Sequence, residues 1–152
     1  SVHADEALRA AVATLDVADT IHALKAGANP NLEVSGAPFG THRTVLQHAV
    51  MAESVALARC LLEAGANPVQ ATAEEWYPPT HRAVLNEQKE MCQLLAHADW
   101  TAPASDPLVG ETVSAGELVL LRQRGAFAEW FAENVAPLPI PQIGGARRSF
   151  RS

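Results

Sequence analysis

Apolar residues recur three and four positions apart through most of the first hundred residues, and short stretches bearing glycine, proline or polar residues cut them into brief runs. Leu57, Ala58, Cys60, Leu61 and Leu62 form one run; Met91, Cys92, Leu94 and Leu95 form another. That spacing places the apolar side chains on one stripe of a helix. Strand-type alternation is absent from most of the chain, so the pattern predicts short helices, each burying one stripe against a neighbour. The 48% apolar content rests on Ala and Leu, with four Phe, three Trp and one Tyr, which suits tight helix packing and not a β-sandwich.

The runs also repeat. Gly27-Ala28-Asn29-Pro30 closes one and returns as Gly65-Ala66-Asn67-Pro68. Thr44-Val45-Leu46-Gln47-His48-Ala49 opens a unit that the run from Leu57 to Ala66 completes. Moving 34 residues on, Pro78-Pro79-Thr80-His81-Arg82-Ala83 and the run from Met91 to Asp99 match both parts, with Ala49 on Ala83, Arg59 on Gln93 and Leu61 on Leu95. Glu6 to Val12 and Val17 to Ala26 make an earlier pair of helices. Units of this length cannot bury their apolar faces alone, so they are expected to stack. Asp5, Asp16 or Asp19, Glu53 and Ser114 precede apolar runs, where a side-chain oxygen can accept first-turn amides. Asp99 stands where the other units have glycine, which predicts a different exit and a loop from Pro103 to Pro107 that breaks the regular stack.

These residues resemble the ankyrin repeat family, with its Thr-Pro-Leu-His-x-Ala opening and Leu-Leu-x-x-Gly-Ala-(Asp/Asn)-x-Asn close. Thr44, Leu46 and Ala49 match the opening in one copy, with Val45 and Gln47 in place of its Pro and His; Pro79, His81 and Ala83 match in the next, with Thr80 in place of its Leu. The close is better kept, in Leu61 to Asn67 and in Leu24 to Asn31. The resemblance implies an all-α solenoid of stacked helix-turn-helix units near residues 5–31, 44–67, 78–100 and 106–126, within one domain spanning 1–136. The last unit is shortened, restarting at Asp106-Pro107-Leu108 and placing Ala115 to Ala126 as a second helix, with a capping helix over 127–135. The Pro/Gly/Arg-rich segment 137–152 reads as an extended, flexible tail.

The same resemblance implies that the chain binds a protein or peptide through a concave strip and loop tips, as an adaptor, an effector's targeting domain or a stoichiometric inhibitor. His48, Met51, Arg82 and Asn86 fall at variable first-helix positions on that strip, and His81 falls where an ankyrin histidine bonds the backbone of adjoining loops. The loop from Asn31 to Arg43 exceeds the family pattern and carries Gly36, Pro38 and Gly40, with Phe39, His42 and Arg43 as contact candidates. The next loop sets Glu74 and Glu75 beside Trp76 and Tyr77, a cluster suited to anchoring a cationic partner.

Charge refines the partner class. The net charge is -6, yet residues 1–136 hold eight Lys and Arg against seventeen Asp and Glu, or -9. An acidic body repels phosphate backbones, so a basic protein or peptide is expected, not nucleic acid. No apolar run approaches a membrane span, and no secretory signal is seen, which places the chain in the cytoplasm, or in a host cytosol if it is a secreted bacterial effector. The spacing of six His and two Cys gives no metal motif, so neither metal nor cofactor is expected, and Cys60 and Cys92 read as buried thiols. A monomer is expected. The competing class is an enzyme with a carboxylate site among Glu111, Glu117, Glu129 and Glu133; a third reading is self-association through Trp130 and Phe131.

Overall fold

The computed structural model describes residues 2–106, 110–122 and 125–139. In chain order the elements are α1 (Val2–Ala13), α2 (Val17–Lys25), β1 (Glu33–Gly36), β2 (Gly40–Thr44), α3 (Val45–Met51), α4 (Val55–Glu63), α5 (Pro79–Leu85), α6 (Lys89–Leu94), β3 (Pro103–Asp106), β4 (Glu111–Ser114), α7 (Ala115–Arg122) and α8 (Ala126–Asn134). Each odd-numbered helix packs on the even one that follows it. The odd helices also form a row, α1 on α3 on α5 on α7, and the even ones a second row, α2 on α4 on α6 on α8.

The apolar stripes meet between the rows. Leu8, Val12, Leu46, Val50, Leu57, Leu61, Val84, Met91 and Leu95 are buried in one continuous core. Each such aliphatic side chain contributes roughly 1.5–3 kcal/mol by leaving water. Cys60 and Cys92 are both buried free thiols, and burial pushes the Cys92 thiol up to about 12.

The local hydrogen bonds repeat with the units. Between the two helices of a pair, Leu15, Glu53 and Glu87 all take positive φ, and Asp16, Ser54 and Gln88 donate their N–H to the carbonyls of Ala11, Ala49 and Ala83. Asp16 and Ser54 are the caps that begin α2 and α4, accepting from the N–H of Asp19 and Leu57. Glu53 is therefore the turn residue, not the cap, and Asp5 lies inside α1, where its Oδ1 accepts the N–H of Asn29 at 2.8 Å. After the second helix, Ala28 and Ala66 close back onto the carbonyls of Ala23 and Leu61. One unit on, Asn67 donates to Asn31 Oδ1 at 2.7 Å, tying successive closes together.

Three expectations need correction. The chain is a helix-rich mixture and not all-α, because two two-stranded antiparallel sheets stand between helix pairs. In one, Glu33 faces Thr44, Val34 faces Arg43 and Gly36 faces Gly40. Gly36 and Gly40 have φ of 77° and 79°, a left-handed geometry that glycine tolerates and that lets the chain reverse where the sequence suggested only a loop. In the other, the pairing runs from Pro103 with Ser114 to Asp106 with Glu111.

The segment after Asp99 does not break the stack, since β3 and β4 lead directly into α7, which continues the odd row on α5. Residues 115–122 accordingly form a first helix, with α8 as the second helix of that pair, in place of the terminal cap expected over 127–135. Ser114 sets this phase. Its Oγ accepts the Glu117 N–H at 3.0 Å while Glu117 Oε1 accepts the Ser114 N–H at 2.8 Å, the reciprocal cap also made by Thr44 and Gln47 before α3. Pro107, Leu108 and the tail beyond Pro139, including Gly144, Gly145 and its three arginines, lie outside the described residues.

Candidate interaction surface

The third residues of α3 and α5 do different chemistry at one structural position. Gln47, buried on α3, donates its side-chain amide to the carbonyls of Glu75 at 2.8 Å and Tyr77 at 2.9 Å. His81 on α5 donates Nε2–H to the Val113 carbonyl at 2.7 Å, and its ring stacks on Tyr77 at 5.9 Å. Both therefore hold the loop that follows. Burial holds the His81 imidazole below its ordinary range, partly offset by the Val113 carbonyl and the Glu117 charge.

Held in this way, residues 72–75 run beside β2. The His42 N–H donates to Glu74 Oε1 at 2.8 Å, Thr72 Oγ1 donates to the His42 carbonyl, and Thr41 Oγ1 donates to Glu75 Oε1 at 3.4 Å. The acidic loop thus covers the open edge of the hairpin. Arg82 Nη2 lies 3.0 Å from Glu75 Oε2, and Arg43 Nη2 lies 3.8 Å from Oε1 while donating to Thr41 Oγ1 at 2.8 Å. Both carboxylates expected to draw a cationic partner are engaged within the chain, and Glu75 is almost buried between two arginines.

The hairpin tip folds back onto the odd row. Phe39 is 1% exposed and so is not a surface contact: its ring meets His48 edge-on at 4.8 Å, and the Arg9 guanidinium covers it at 5.2 Å. His48 is half-buried, and desolvation followed by the nearby Arg43 charge lowers its pKa. His42 stays half-exposed with Nε2 2.6 Å from Glu33 Oε1. Met51 is half-buried, and Asn86 is exposed where α5 ends. Comparison with protein-family models and with curated proteins finds no match.

Trp76 is half-buried, packing edge-on against Tyr77 at 4.2 Å, while Arg82 sits over the Tyr77 ring at 5.5 Å. With Val69, Ala71, Pro103 and Ala104, Trp76 lines a groove of about 370 Å³ between the loop and β3. The structure thus gathers Arg43, His48, Glu75, Tyr77 and Arg82 into one contiguous patch with Trp76 beside it, and withdraws Phe39. Sequence reasoning missed Gln47 as the residue that positions this loop. Its signal was the Thr44-x-x-Gln47 capping pattern.

The other readings meet different geometry. Glu117 is engaged in its cap, whereas Glu129 and Glu133 are exposed. Phe131 is fully buried against Trp100 at 4.9 Å, and Lys89 lies over Trp130 at 5.3 Å, so little of that aromatic face is left open. Among the described residues no three His, Cys, Asp or Glu side chains converge as a metal site requires, and no helix is long and apolar enough to cross a membrane.

Proposed function

We propose that the chain is a short repeat module of the ankyrin kind that binds a protein or peptide without catalysis, through the odd-helix row and the two loops leaning over it. The observation carrying this reading is the contrast between conserved structure and changing surface within the stack. Buried positions repeat in type, Ala49 with Ala83, Val50 with Val84 and Leu61 with Leu95, all buried, while the half-buried positions of the odd helices differ, His48 with Arg82 and Met51 with Leu85. A scaffold whose interior recurs while its strip varies is free to match a partner at little cost in stability.

Trp76 supports the same reading. A half-exposed indole in a groove is the kind of anchor that dominates many interfaces, at about 2 kcal/mol or more on truncation. The test is capture of a cellular protein by the intact chain, repeated with Trp76→Ala and with Met51→Ala, folding being checked by circular dichroism. Trp76→Ala is expected to weaken binding of the captured protein by about tenfold or more. Undiminished capture by both variants would remove this surface from the reading, and turnover of a substrate that Glu129→Gln abolishes would favour an enzyme instead.

A further inference from the structure

The patch holds more N–H donors than it satisfies. Arg43 and Arg82 share one carboxylate, Glu75, and the side chains of Arg43 and Glu75 are each only 11% exposed. Arg43 Nε, Arg82 Nε and His48 Nδ1 are buried with no hydrogen-bond partner. Two guanidinium groups offer ten N–H donors, far more than Glu75 and Thr41 can accept. A guanidinium held away from water with N–H groups unmet is costly, and a further carboxylate oxygen is the ordinary remedy.

We infer that Arg43 and Arg82 form a receptor for one carboxylate, an Asp or Glu side chain or a chain end of the bound protein, which shares the two guanidinium groups with Glu75. Arg82 is the arm such a group meets first, its side chain being 26% exposed. With Glu74 on the neighbouring His42 N–H the local charges balance, so the opening suits one carboxylate that meets the spare N–H donors, not a polyanion. A nucleic acid brings a charge about every 1.7 Å of duplex to a body that carries -9 over residues 1–136, and repulsion outweighs one arginine. The basic partner expected from Glu74 and Glu75 is replaced by one that presents a lone acid. This inference rests on the protein-binding reading of the surface.

The intact, nitrogen-15-labelled chain is titrated with sodium acetate, and with sodium chloride at equal ionic strength, while the arginine Nε–Hε resonances are followed by NMR. Exposed Arg59 on α4 is the internal control. Acetate is expected to shift the Arg43 and Arg82 signals saturably and leave Arg59 unmoved. Glu75→Gln keeps the loop carbonyl that Gln47 holds and removes the competing charge, so it should tighten acetate binding by about fivefold. Arg82→Gln, shown folded by circular dichroism, should abolish saturation at Arg43; the wild-type titration decides by itself if this variant does not fold.

Equal responses to chloride and acetate, or movement of Arg59 with the pair, would overturn the receptor. So would tighter binding of a ten-residue oligothymidylate than of acetate. If acetate fails to saturate while protein capture persists, the carboxylate receptor falls and the binding reading stands. If acetate saturates and no protein is captured, the binding reading falls instead.

Discussion

Two junctions of the stack solve one problem with different side chains. Where α3 meets α5, Gln47 spends its whole amide, taking the Thr44 N–H at 2.8 Å on its oxygen and giving two N–H bonds to the next loop. Where α5 meets α7, His81 gives one bond, to Val113, and its other nitrogen has only the Thr80 hydroxyl at 3.4 Å. An amide holds its donors at every pH, whereas an imidazole holds an acceptor only while neutral. The first junction is the firmer; at the second the Nε2–H still donates after protonation, and acid acts by placing a charge on a buried ring.

The largest effect is therefore expected at Gln47. Gln47→Ala strands two carbonyls and the Thr44 N–H, and urea unfolding should show a loss of about 3 kcal/mol, near 1 kcal/mol for each lost partner. A loss under about 1 kcal/mol would mean that water replaces the amide and that the two junctions do not differ in this way. His81→Ala strands one carbonyl and leaves a cavity that can partly collapse, so about 2 kcal/mol is expected. A larger loss than at Gln47 would reverse the ranking.

The smallest effect is the most diagnostic. The folded-state pKa values of His81 and His48 lie below their ordinary 6.5, with burial the main cause in both. As pH falls below 6.5, the unfolded chain binds protons that the folded chain refuses, so stability drops and goes on dropping until the folded pKa is reached. Denaturant midpoints measured from pH 7.5 to pH 5 should fall with acidification. His81→Gln installs the amide of the other junction and should flatten that dependence, leaving the part due to His48. An unchanged slope would place the titration elsewhere.

Much of this architecture was legible in the residues. The recurring Gly-Ala-Asn-Pro closes and the 34-residue phase located three helix pairs, because each buried position had to repeat for its stripe to meet the next. The backbone-binding part of His81 was legible through the family resemblance. The hairpins were not: Gly36, Pro38 and Gly40 exclude helix, but strand pairing depends on which residues end up opposite, as Val34 does to Arg43. Nor was the placement of α7 read, although Ser114-x-x-Glu117 repeats the Thr44-x-x-Gln47 pattern and marks the same point in the unit.

The patch was half legible. Arg43, His48, Glu75, Trp76, Tyr77 and Arg82 were all singled out, yet charge was read from neighbours in the sequence, where Glu74 and Glu75 stand alone. In the fold Arg43 and Arg82 arrive from a strand and a helix to offset that charge. Phe39 misled for a related reason, because its cover comes from Arg9 and His48, which are distant along the chain.

In both rows the helix-to-helix packing runs between a helix and its nearest neighbours along the stack. Such a molecule behaves less like a globule than like a short spring made of coils that can part singly. Under tension applied at its extremities it should lengthen in discrete steps, the end coils giving way while the central ones still grip, and its reach would scale with the number of coils it carries.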